Sequence, residues 1–137
     1  MEKYFVTYAQ SIALKKLGFD MPCFTYVYIG DTGNNVDRYE EVEPSRAINF
    51  NHDSLCVSQP LKSQVFEWGR REYGLHHVVH HFQHNRGTSK EFLSEVSGKL
   101  LMGNDDIDGF SYHSTYDKAE SACIDKLIEI VENNLDK

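Results

Sequence analysis

Apolar side chains recur at helical spacing in three stretches of this chain, and shorter runs at strand spacing lie between them. The central stretch is the most fully punctuated. Leu61, Val65 and Trp68 share one face, with Phe66 and Tyr73 beside them, while Glu67, Arg70, Arg71 and Glu72 take the other. Ser58 reads as the cap of this helix and Pro60 as a residue just inside its start, where a missing N–H costs nothing. Gly74 supplies the left-handed residue that commonly ends a helix. Gly69 sits inside it at a cost of about 1 kcal/mol relative to alanine, which predicts that another backbone packs closely there.

The flanking helices are read the same way. Thr7 caps a helix over 8–17 whose buried stripe is Ala9, Ile12, Ala13 and Leu17; Gly18 ends it and Phe19 folds back on Leu14. Thr115 caps the last helix, over 116–133. There Ala119, Cys123, Leu127 and Ile130 form one apolar row, and Ile124, Ile128, Val131 and Leu135 the next. A face that broad predicts a helix lying across a sheet. Strands are predicted over 23–29, with 47–50 pairing back onto it, and over 75–83, followed by a hairpin turn at Asn85-Arg86-Gly87. The stretch 92–102 has both periods and is read as a returning strand. Residues 30–44 read as a polar, turn-rich segment and 103–109 as an acidic loop. The expected fold is therefore α+β, one domain over 1–137, with three helices on a small, mostly antiparallel sheet in the order α, β, β, α, β, β, α.

Composition narrows the function classes. The 137 residues are 40% hydrophobic with a formal charge of -7. That supports a packed core and argues against a broad nucleic-acid footprint, which needs a basic patch. No basic-then-apolar leader and no apolar run of bilayer length is visible. Cys23, Cys56 and Cys123 are odd in number and widely spaced, so they read as reduced, buried thiols of a cytoplasmic protein.

Three pieces of the chain, taken together, resemble a known group. They are Thr7-Tyr8 before a helix ending in Leu17-Gly18-Phe19, then Pro60 to Trp68 with Arg71 to Leu75, then Thr115 to Glu120 with Ala122-Cys123-Ile124. Together they resemble short proteins of unassigned activity encoded by Bacteroidetes bacteria and their phages and prophages. The resemblance covers the three helices. It implies a small accessory protein of a mobile element and brings no catalytic residue or cofactor with it. It also implies a bulky apolar residue after Trp68, where this chain has Gly69.

Candidate chemistry is thin. His76, His77, His80, His81 and His84 lie within nine residues. On a helix His77 and His81 would stand one turn apart and could share zinc. On a strand, His76 and His80 share a face but sit about 13 Å apart, beyond the reach of one metal, so a site needs a cross-strand ligand such as His113. Asn104, Asp106 and Asp108, with Gly109, match the first half of a calcium loop. Thr115 stands where the closing bidentate glutamate belongs, so calorimetry should show no micromolar calcium binding by this loop. Asp31-Thr32-Gly33 spells an aspartic protease triplet in a single copy running into a turn. His52, Asp53 and Ser54 are adjacent, which is not how a triad converges.

No cofactor is expected. The sequence reads best as a binding protein with a protein partner, the surplus of tyrosines suiting an interface; a homo-oligomer stays open. The rival reading is a metal-dependent or hydrolytic enzyme using the histidine strand or the acidic loop. Full protonation of the seven histidines would cancel the formal charge. Falling solubility or larger species are therefore expected between about pH 7.5 and 5.5.

Overall fold

The computed structural model describes residues 2–28, 38–41, 43, 46–81, 92–101 and 110–135. The chain is α+β with antiparallel strands, and it divides into two compact units, residues 1–64 and 65–137. Six strands are found among the described residues, in two three-stranded sheets where the sequence pattern reads one.

In the first unit, helix α1 (Tyr8–Lys16) starts with a reciprocal cap. Thr7 Oγ1 accepts from the Gln10 N–H at 3.1 Å, and Gln10 Oε1 accepts from the Thr7 N–H at 2.9 Å. At its other end the Phe19 N–H donates to the Leu14 carbonyl across Gly18, the expected stop. The buried stripe differs from the one predicted: Gln10, Ser11 and Leu14 are inside, whereas Ala9 is exposed. Two polar residues can occupy that face because both are satisfied locally. Gln10 is held in the cap, and Ser11 Oγ donates to the Thr7 carbonyl at 3.0 Å.

The sheet of this unit has the order β2 (Arg38–Glu41), β1 (Thr25–Tyr28), β3 (Cys56–Ser58). β2 falls in the segment read as turn-rich. Its sequence, RYEE, has no apolar alternation to announce it; an edge strand is recruited through its backbone. The predicted return of 47–50 reduces to one bridge, Cys23 with Ile48. Ser58 is not a helix cap. It belongs to β3, opposite Tyr26, and its Oγ accepts from the Phe50 N–H at 3.0 Å. Helix α2 (Lys62–Tyr73) instead begins where Gln64 Oε1 accepts from the Leu61 N–H. The division between the units falls within α2.

The second unit holds the remainder of α2, then β4 (His76–His81), β5 (Phe92–Ser97), β6 (Phe110–His113) and α3 (Tyr116–Leu135). The sheet order is β4-β5-β6. The returning strand predicted over 92–102 is β5, shorter than expected, and β6 is an unpredicted third strand. Thr115 caps α3, accepting from the Lys118 N–H. Both predicted apolar rows of α3 are buried except for Leu135 at their end. α3 lies against all three strands, as its broad apolar face requires. Among the described residues no helix is long and apolar enough to cross a membrane.

Candidate functional site

The second sheet has two unlike faces, and alternation along each strand decides which residue goes where. His77, Val79 and His81 on β4 share a face with Phe92, Ser94 and Val96 on β5, and with Ser111 and His113 on β6. This is the face that α3 covers. Ser94 and Val96 are buried, and Phe92 meets Tyr116 of α3 edge-on at 6.2 Å between ring centres.

The candidate zinc ligands His77, His81 and His113 all lie on this face but do not converge. Phe92 stands between His81 and His113 in the register, which separates their backbones by two strand spacings, about 10 Å. His77 is a further four residues along β4, and its ring is stacked on Phe66, 3.4 Å between centres. Among the described residues no three His, Cys, Asp or Glu side chains gather into a metal site. Residues 104, 106 and 108 of the calcium-like loop, residues 31–33 and His84 lie outside the described residues.

A cluster that no motif announces does form here. Ser111 Oγ lies 2.6 Å from His113 Nε2 and 2.8 Å from Ser94 Oγ, and Ser94 Oγ is 3.3 Å from the same imidazole nitrogen. The pairing of Ser94 with Ser111 brings Ser94 up to a Ser111–His113 contact that lies within β6. The period-two spacing of Ser111 and His113 was its one visible sign. Above it, Cys123 Sγ points at the Val78 and Glu95 carbonyls, each 3.9 Å away. Burial pushes the Cys123 thiol up to about 11 and the Cys23 thiol up to about 12. At neutral pH both are protonated and poor nucleophiles.

His77 is the histidine of this strand whose surroundings matter most. Half-burial against Phe66, and then the charge of Arg70, hold its pKa below 6.5. Below pH 6.5 the unfolded chain therefore binds more protons than the folded one. Stability should fall as the pH drops from about 6.5 toward the folded pKa and level off beneath it. His77→Phe should flatten that slope, read as the difference between urea midpoints at pH 7.5 and 5.5. His76, His80 and His81 are exposed.

The other face carries His76, Val78 and His80 on β4, Leu93 and Glu95 on β5, and Phe110 and Tyr112 on β6. Its apolar residues are turned outward: Val78 is 45% exposed, Phe110 57% and Tyr112 45%. In one row of the register Glu95 stands between Val78 and Phe110; in the next, Leu93 stands between His80 and Tyr112. His80 Nε2 and a Glu95 carboxylate oxygen are 3.2 Å apart, with both side chains near half exposed. Comparison with protein-family models, curated proteins and solved structures finds no match for the chain.

Proposed function

We propose that the protein acts by binding another protein through the outward face of the β4-β5-β6 sheet, as a small accessory factor of a phage, prophage or other mobile element. The mobile-element part rests on the sequence resemblance. The binding part rests on one observation: Val78, Phe110 and Tyr112 stand exposed together on the face opposite α3. Aromatic side chains in that position supply large contact area at small entropic cost, and grouped exposure of this kind marks interaction surfaces. A photo-crosslinking residue at Tyr112, compared with one at exposed Asp125 on α3, tests the reading in a Bacteroidetes host lysate. A discrete adduct from position 112 alone, lost with Phe110→Asp, is the expected result. Identical patterns from the two positions would overturn it.

A hydrolytic enzyme is the second reading, favoured by the Ser111–His113 contact. A serine hydroxyl 2.6 Å from an imidazole nitrogen is the nucleophile–base pairing of acyl transfer. It ranks second because the pair lies on the face that α3 covers. A fluorophosphonate probe should label the wild-type chain and spare Ser111→Ala if this reading holds. An unlabelled wild-type chain would eliminate it.

A further inference from the structure

The geometry points to the occupant of the outward sheet face: a single amphipathic helix whose apolar stripe carries one Lys or Arg at its centre. This inference rests on the protein-binding reading and adds the kind of partner.

Backbone groups constrain the occupant first. A partner laid on the face of a sheet, rather than along its edge, meets side chains and finds no free N–H or C=O to pair with. It must satisfy its own backbone, and a helix does so internally. The opposite face of this sheet is already covered in that way by α3.

Size constrains it next. β4 and β5, of six residues each, are about 20 Å long, β6, of four, is about 13 Å, and the outer strands of three are about 10 Å apart. A helix about 10 Å across, of about thirteen residues, has that footprint. A lasting dimer buries about 800 Å² per partner, far more than the plan area of about 200 Å² presented here, so a second copy of the same face is the poorer fit.

Charge constrains it last. Glu95 lies on the middle strand between Val78 and Phe110, so an apolar stripe laid along that strand covers a carboxylate. A carboxylate removed from water requires a cation or hydrogen-bond donors in return. The neighbouring His80 can supply one contact, on one side. A lysine or arginine within the partner's stripe supplies the contact from above.

The test is selection of random sixteen-residue peptides displayed on phage against the immobilised full chain. Enriched peptides should share apolar residues at i, i+3 or i+4, and i+7, with a Lys or Arg among them. Their binding should fall at least tenfold with Phe110→Asp and, independently, with Tyr112→Ser, both checked for native circular dichroism. Selection against Glu95→Lys should return Asp or Glu in place of the basic residue. No enrichment, enriched peptides without helical spacing, or an unchanged charge preference with Glu95→Lys would each overturn the inference. A Tyr112 adduct in the crosslinking experiment would leave the protein-binding reading standing in any of those cases, so the two can fail separately.

Discussion

Leu127→Ala should destabilise the second unit by about 2–5 kcal/mol, the range for removing a buried leucine from a core that relaxes only in part. Leu127 is 1% exposed and lies in the unbroken apolar face of α3. What makes it central is its fit to α2. A Cβ placed on Gly69 would stand 2.5 Å from Leu127 Cδ1, so the leucine fills the notch that the glycine leaves. The close neighbour of Gly69 is thus a side chain, not the backbone that the sequence suggested. The two positions should be coupled. Gly69→Ala alone displaces a packed methyl group, which works against the gain of about 1 kcal/mol in helix propensity. In the Leu127→Ala background the same change meets empty space, and the propensity gain should emerge. Urea titrations of the four chains measure both effects. A loss below about half a kilocalorie for Leu127→Ala would mean that this face is not the core.

Gly98→Ala should be comparably harmful for a different reason. Gly98 has φ +157 at the end of β5, and an added Cβ would stand 2.6 Å from the Gly74 carbonyl oxygen and 3.0 Å from Leu75 Cδ2. The oxygen is backbone, at the turn between α2 and β4, and cannot swing aside. A conformation of this kind costs a non-glycine residue about 1–3 kcal/mol before any clash is counted. Gly74→Ala is the natural control: its φ is +64, yet nothing lies within 4 Å of an added Cβ. The expected order of loss is Gly98→Ala greater than Gly74→Ala, read from thermal or urea midpoints. The reverse order would show that backbone conformation, not the contact with the Gly74 carbonyl, governs this corner.

The helices were legible because their signals are local and redundant. Thr7, Thr115 and the apolar rows of α3 each specify a position without knowledge of the rest of the chain. The sheets were less legible, and the reason is visible in β6. Its FSYH does alternate, but with Phe110 and Tyr112 outward and Ser111 and His113 inward, the reverse of the usual polarity. β4 is similarly ambiguous, with one valine on each face. Pattern reading assigns the apolar set to the core, so strands with an inverted face go unseen or are oriented wrongly. Ser58 misled for a related reason: a serine before a proline reads as a cap until a strand partner and the Phe50 N–H claim it. The Ser94–Ser111–His113 cluster and the outward patch depend on register between separate strands, and register is not written in any one of them.

The single tryptophan gives the molecule a built-in optical label with an address. Trp68 is 2% exposed in α2, within the second unit, with Tyr73 edge-on to it at 5.1 Å between ring centres. The first unit, by contrast, has tyrosines and phenylalanines but no tryptophan in its sequence. Indole emission on unfolding therefore watches residues 65–137, where both Leu127 and Gly98 lie, while far-ultraviolet ellipticity watches α1 as well. Superimposed denaturation curves from the two signals would mark a single cooperative transition. A separation between them would assign each half of the chain its own melting point, and α2, whose residues belong to both, would be the place where cooperativity breaks.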